Sequence, residues 1–440
     1  MDGALPHQPD HARPRLLVCA YAFSPVLGSE FAQGWNYVRE MAGRYRLTVL
    51  VGSTDGRMGD FANLSHPEVL ALGADVAIVP VAPDWFCRLI KYLDVRIGLT
   101  WLFVFGLRRW HRLALGKARA LHAAVPFAAV HQLGPVGFRN PGQLYRLGVP
   151  AYWGPLGGFQ FVNLAMAWRS DRKYGALCLI RNVSTWLAAR SATVRQAMRR
   201  FDRLSFATET NRANTARLTG RSGPVLSDQA ITSTGDQPLP DKGAARPLRA
   251  IWVGSVDGRK NIAMLLDIAA AAQVLGTPLE ITVVGGGPLL GRAQARAQEM
   301  QLGNITFTGQ IPRAEVQRLL HAAHALCFTS LSEANTSTLF EALEAGCIPF
   351  ALDLDGFSTN ITPDIGYLFS ITAGWDSAVA AYAAALDAVA RADDLRAAHG
   401  AAIALQRPHY AWVRLAARHA EIIDGLIDPR QPHPSGTLAS

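Results

Sequence analysis

The chain has 440 residues, half of them hydrophobic and 18% charged, which excludes a disordered protein and exceeds what one ordinary core accommodates. A net charge of +9 favours phosphorylated substrates or an anionic membrane surface over nucleic acid, because the basic residues are scattered and no nucleic-acid-binding motif occurs. Five separated cysteines without a C-x-x-C pair speak against a disulfide framework or a zinc site and fit a reducing cytoplasm.

Residues 1–14 lack an apolar stretch behind a basic start, so they read as a flexible tail and not as a signal peptide. Arg15 to Ala20 is a short apolar run, then a turn-rich stretch through Ser24, Pro25, Gly28 and Ser29 leads into a helical pattern from Glu30 to Ala42. Leu47 to Val51, Val76 to Val81 and Phe127 to Val130 repeat the short buried-strand pattern with helical segments between them. This alternation implies an α/β domain with a parallel, doubly wound sheet over residues 15–231. Ile97 to Leu107 is about half the length of a membrane span. Its flanking arginines allow it to lie among lipid headgroups, with a core helix as the favoured alternative.

Residues 232–247 collect Gly, Pro, Asp, Ser and Lys without periodicity and read as a linker. Beyond it, Leu248 to Val253, Leu279 to Val284, Ile305 to Phe307, Ala325 to Phe328 and Cys347 to Ala351 are again short strands, giving a second domain of the same class over 248–408. The pattern from Tyr410 to Ile427 carries one apolar stripe that must pack on something, and 429–440 read as a frayed tail.

Two motifs carry chemistry. In the stretch Ser332 to Gly346, Glu333 falls in the loop after a strand and Glu341 about two turns into the following helix. Carboxylates suit vicinal diols, and the helix N-terminus between them, with Asn335, Thr336, Ser337 and Thr338, suits a phosphate. Two acids at this spacing are also what any solvated helix start carries. The second motif, Val253 to Asn261, sets Gly254 and Gly258 beside Arg259 and Lys260 directly after the first strand of the second domain. Glycines admit a ligand close to the backbone, and the two cations suit a diphosphate. The spacing is not that of a Walker loop.

Taken with Val284-Gly285-Gly286-Gly287-Pro288 and Phe307-Thr308-Gly309, these motifs resemble the donor-binding half of the family 4 retaining glycosyltransferases of GT-B fold. The resemblance implies two Rossmann-like domains around an interdomain cleft, with a C-terminal helix returning to the first domain. It implies a donor diphosphate on Arg259 and Lys260, a ribose on Glu341 and sugar hydroxyls on Glu333. Ser255 departs from the arginine that many members place there. The first half resembles a bacterial polysaccharide- and lipopolysaccharide-assembly branch through Gly28-Ser29-Glu30, Gly34-Trp35-Asn36, His131, Phe138-Arg139 and Trp153 to Gly158. By that likeness Gly28 and Ser29 face the donor phosphates and His131 lies near the reacting sugar, although a lone histidine at a strand end is more often structural.

The expected catalytic set is Glu333, His131 and Lys260. The expected donor-binding set is Gly28, Ser29, Gly254, Arg259, Lys260, Gly286, Thr336, Ser337, Thr338 and Glu341. No cofactor and no metal are expected, because the diphosphate charge meets Arg and Lys. Asp353-Leu354-Asp355 is set aside as a metal motif, and Gly285 to Gly291 as a dinucleotide fingerprint, since Leu290 replaces its last glycine. The expected partners are a nucleotide sugar, a lipid-linked saccharide acceptor and an anionic membrane surface. A nucleotide-sugar epimerase of the same fold and a non-catalytic sugar-nucleotide binder remain alternatives.

Overall fold

The computed structural model describes residues 13–97, 102–240, 242 and 246–428. The expected tails at 1–14 and 429–440, except for residues 13 and 14, and the middle of the Ile97–Leu107 segment lie outside them. The first sheet holds β1 (Arg15–Cys19), β2 (Arg46–Val51), β3 (Val76–Pro80), β4 (Ala129–Gln132), β5 (Ala151–Leu156) and β6 (Arg203–Phe206). The second holds β7 (Leu248–Val253), β8 (Leu279–Val284), β9 (Ile305–Gly309), β10 (Ala325–Phe328), β11 (Ile348–Leu352) and β12 (Tyr367–Phe369).

The sheets run β3-β2-β1-β4-β5-β6 and β9-β8-β7-β10-β11-β12, every neighbouring pair parallel. Each is the doubly wound order in which the chain reverses direction across the sheet beside its first strand. Loops leaving the carboxyl ends at that switch point diverge and open a crevice, the usual ligand position in such sheets. In the second domain the diverging loops follow β7 and β10; in the first they follow β1 and β4. The Gly28–Ser29 stretch, the Gly254–Lys260 loop and the stretch around Glu333 lie on these loops or at the helix starts they feed, whereas Gly285–Gly287 follow β8, Phe307-Thr308-Gly309 lies in β9, His131 in β4, and Trp153–Gly158 in and just after β5.

Three strands escaped the sequence reading. β5 contains Gly154-Pro155, which reads as a turn, yet all six of its residues are buried between β4 and β6. β6 and β12 have four and three residues, too few to show a period. The domain boundaries also differ from expectation in one place. Val162, Met166, Ala167 and Cys178, assigned to the first domain, are buried in the core of the second. The helix Leu164–Ser170 and the start of the helix Arg172–Arg190 therefore bridge the two bodies.

The linker is pinned as it crosses. Arg407, 3% exposed, donates through Nε to Gly235 O at 2.9 Å, through Nη2 to Gln237 O and through Nη1 to Glu344 O at 2.9 Å. The last helix, Trp412–Ile427, buries Trp412, Leu415, Ala416, Ala420 and Ile423 with Leu16, Val18, Trp35 and Val38 of the first domain. The chain thus returns to the domain where it began, which gives the apolar stripe its partner. Of the apolar segment at 97–107, Leu107, in the helix Phe103–Ala124, is buried with Trp110 of the same helix and with Cys87, whereas Phe105 is 46% exposed.

Ile423 has no exposed surface, so Ile423→Ala removes buried methyl groups at the seam between helix and sheet. The expected cost is about 2–5 kcal/mol, read as a lowered denaturant midpoint for the first domain. An unchanged midpoint would show that the helix does not dock there.

Candidate active site

The loop after β7 is folded by its own side chains. Asp257 Oδ1 accepts from Lys260 N at 2.9 Å, and Asn261, at φ 57°, caps the helix Ile262–Val274 by accepting from Met264 N. Arg259 and Lys260 therefore stand in the loop just before the helix, where the unpaired amides and the dipole add positive potential. The loop is tied to the one after β10: Leu331 N donates to Arg259 O at 2.9 Å and Thr329 Oγ1 to Lys260 O at 2.8 Å. Trp252 Nε1 donates to the same threonine oxygen at 3.1 Å.

This stitching brings both cations to Glu333. Arg259 Nη1 lies 2.5 Å and Lys260 Nζ 2.7 Å from its Oε1. Lys260 is 7% exposed, so its charge is compensated chiefly by this carboxylate. Two cations on one acid leave a net positive charge, which an incoming diphosphate would neutralise. Gly254 supports the arrangement: a Cβ there would sit 3.2–3.3 Å from the Lys260 stem. Gly285, at φ 137°, has a more absolute requirement, since its Cβ would fall 1.9 Å from Gly254 O. Gly286 lies between these close approaches, and a Cβ there would be in ordinary contact with Gln310 at 3.7 Å.

The second acid lies in a separate cavity of about 270 Å³ between the domains, lined by Gly28, Ser29, Gln229, Arg313, Ser337 and Glu341 among others. Gly28 and Ser29 thus face the start of the helix Ser337–Glu344 across the cleft. Thr336 is its N-cap residue and its side chain makes no cap hydrogen bond. That helix begins at Ser337, which places Glu341 just over one turn into it, one turn earlier than expected. Arg313 Nη2 donates to Glu341 Oε1 at 3.1 Å, while burial raises the carboxyl's pKa. Thr338 follows Ser337 in the first turn. Of the residues picked from sequence, Arg259, Lys260, Gly254 and Glu333 form one cluster, and Gly28, Ser29, Ser337 and Glu341 another.

His131 does not join either. It has no exposed surface, its ring nitrogens lie 2.6 Å from Tyr37 Oη and 2.9 Å from Gly154 O, and it stacks on Tyr152. Burial pushes its pKa down to about 3. A neutral histidine sealed between sheet and last helix fits the structural role, and the expectation that it approaches the reacting sugar is corrected accordingly.

The structure adds residues that the sequence reading missed. Arg313 begins a helix, an unfavourable place for a cation without an anionic partner, which was the available signal. Asp228 had none. Its Oδ1 accepts from Asn335 Nδ2 at 2.6 Å, and the same amide donates to Ala207 O at 3.0 Å, so the Glu333 loop is fastened to the first domain. Burial pushes Asp228 up to about 6, partly offset by the Asn335 bond, and Glu333 raises it further. Asp355, with φ 45°, is likewise pushed up to about 6 by burial, although Arg181 opposes the shift.

Residues 242–399 match the family model described as glycosyl transferases group 1, a span that includes both cations, the glycine loop and both acids. No match is found among curated protein sequences. Solved structures share the architecture over nearly the whole chain. Sucrose-phosphate synthase from Thermosynechococcus elongatus is 15% identical, covering 94% of this chain and 99% of that one, with a TM-score of 0.61. The chain has the GT-B fold. The apo lipopolysaccharide outer core galactosyltransferase WaaB superposes with a TM-score of 0.60 at 14% identity, covering 93% of this chain and 99% of that one. Anabaena HepE in complex with UDP and glucose gives 0.57 at 14% identity, covering 94% and 100%.

An acid whose folded pKa is raised binds protons more tightly folded than unfolded, so its contribution to stability is largest at low pH and is lost as pH rises to about 6. Asp228→Asn keeps an acceptor for Asn335 and removes the buried charge. It should raise Tm at pH 7.5 by about 2–4 °C, corresponding to about 1 kcal/mol, and leave Tm unchanged near pH 4. A lower Tm at pH 7.5 would mean that the charge is stabilising.

Proposed function

We propose that this protein transfers a sugar from a nucleotide-diphosphate sugar to a saccharide acceptor, with retention of configuration and without a metal ion. The observation that carries the proposal is the meeting of Arg259, Lys260 and Glu333 at the switch point of the second sheet. The group 1 match over that same domain supports it, as does the UDP held by HepE in a fold of the same kind.

In this reading the diphosphate lies against Arg259 and Lys260 and draws them from Glu333, whose carboxylate then accepts hydrogen bonds from hydroxyls of the transferred sugar. The charge that develops on the departing nucleoside diphosphate meets cations already fixed by the loop bonds, so little reorganisation is needed in the transition state. Glu341 and Arg313, opposite Gly28 and Ser29, take the nucleoside end. The acceptor hydroxyl attacks on the face from which the diphosphate leaves, and no carboxylate is needed as a covalent nucleophile. Closure of the first domain excludes water that would otherwise hydrolyse the donor. The acceptor is a growing saccharide on a lipid carrier, as in exopolysaccharide or lipopolysaccharide assembly, and the enzyme works at the inner face of the cytoplasmic membrane.

Purified protein, screened against UDP, GDP and ADP sugars by thermal shift and then by nucleotide release in the presence of a saccharide acceptor, should release nucleoside diphosphate in EDTA as well as without it. Lys260→Ala and Glu333→Ala should each slow release by at least about tenfold, or about 1.4 kcal/mol of transition-state stabilisation. Circular dichroism checks that each variant is folded. Unchanged rates in both would contradict the site, and conversion of the donor sugar without acceptor or nucleotide release would instead identify an epimerase.

A further inference from the structure

The helix Arg172–Arg190 is built inside out for a helix of a water-soluble domain. Its buried positions are small: Gly175, Cys178, Thr185 and Ala189. A Cβ on Gly175 would fall 2.5 Å from the Trp168 ring, and Thr185 Oγ1 accepts from Arg139 Nη2 at 2.8 Å, so this face lies close against the body of the protein. The large apolar side chains face outward instead. Leu177, Leu179, Ile180, Val183, Trp186 and Leu187 are each about half exposed or more, reaching 62% at Leu177 and 66% at Ile180. Exposed side chains of this size scattered singly need no explanation, but a row along one helix marks an interaction surface.

Charge decides what the surface meets. Residues 164–201 hold eight Arg and Lys against one acid, Asp171, which is spent capping the helix by accepting from Tyr174 N at 2.9 Å. Arg172, Lys173, Arg199 and Arg200 are exposed, and Arg190 lies over the outward Trp186 ring with Cζ 3.7 Å from its centroid. A second copy of this chain docking face to face would set two such basic segments against each other, which opposes self-association. An anionic bilayer offers the complement in both respects, hydrocarbon for the apolar row and phosphates for the cations. No helix among the described residues is long and apolar enough to cross a membrane, so contact of this kind is with the surface.

We infer that the outer face of the Arg172–Arg190 helix docks this protein on an anionic lipid bilayer. The location has a consequence for the cleft. The first turn of the same helix abuts the cation loop: a Cβ on Gly258 would meet Tyr174 Cβ at 2.4 Å and Asp171 Cβ at 2.9 Å, and Ser170 Oγ donates to Gly258 O at 2.7 Å. Arg181, farther along, acts electrostatically on buried Asp355. A bilayer held by this helix therefore lies against the element that borders Arg259 and Lys260, where a lipid-borne acceptor would enter. That functional meaning rests on the proposed transfer to a lipid-linked acceptor; the docking itself does not.

The test is flotation of the full chain with vesicles of phosphatidylcholine, with and without phosphatidylglycerol, at low and high salt. The wild type should float with the anionic vesicles at low salt and be released by salt. A triple variant, Leu177→Glu, Ile180→Glu and Leu187→Glu, should bind about tenfold more weakly or less, whereas Trp85→Glu with Tyr92→Glu, on a different exposed apolar helix, should bind as the wild type does. A second variant, Arg172→Gln, Lys173→Gln and Arg190→Gln, should lose the salt-sensitive part and serves if the first does not fold. Wild-type binding by both Arg172–Arg190 variants, or loss of binding confined to the Trp85 variant, would overturn the inference. So would a wild-type dimer that the triple variant converts to monomer in gel filtration with light scattering. Nucleotide release from a soluble sugar donor supplied with a soluble saccharide acceptor, measured on the same samples, should be equal in the wild type and the triple variant. Its absence in both would sink the transfer reading and leave the flotation result standing.

Discussion

The ion triplet of Arg259, Lys260 and Glu333 is the constraint around which the second domain is organised. Bringing two cations to one carboxylate oxygen at 2.5 and 2.7 Å, with the lysine almost fully buried, is favourable only if the backbone holds them there. The bonds from Leu331 N to Arg259 O and from Thr329 to Lys260 O provide that hold, and each depends on β7 and β10 being neighbours. The strand order is therefore part of the chemistry: reverse the winding elsewhere and the two loops would not diverge from adjacent strands. Gly254, Gly285 and Gly287 serve the same end, since side chains at 285 and 287 would collide with the backbone of the cation loop.

The first domain approaches this cluster by three independent routes. Asn335 ties the acid loop to Asp228 and Ala207, Gly258 meets Tyr174 and Asp171, and the paired Arg169 and Asp376 lie at the edge. The last helix then closes the circuit by packing on the sheet that starts the chain. Several carboxyls are held at the seam, and burial raises Glu30, Asp228 and Asp355 alike. Their desolvation is a standing cost of the seam.

Much of this was legible in the residues. The alternation of short apolar runs with helical segments gave two parallel sheets, and β7, β8 and β10 fall on the residues read as strands. The cation loop was visible because Arg259 and Lys260 sit where a helix start disfavours positive charge, and the acids because they flank a polar helix N-terminus. What stayed hidden depended on distant partners. His131 reads as a candidate catalyst until Tyr37 and Tyr152 are seen to enclose it, and Asp228 reads as an ordinary loop acid until Asn335 reaches it from the other domain. β5 was concealed by Gly154-Pro155, a turn signal overridden by full burial between two strands. The outward row on the Arg172–Arg190 helix was invisible for a different reason: with apolar residues nearly all round, its periodicity cannot say which face is inside.

In the proposed reaction the two cations leave Glu333 for a diphosphate. A crystal structure with a bound nucleoside diphosphate tests it most directly. Phosphate oxygens are expected within hydrogen-bonding distance of Arg259 and Lys260, with the nucleoside toward Glu341. A nucleotide bound elsewhere while both cations still clasp Glu333 would contradict it.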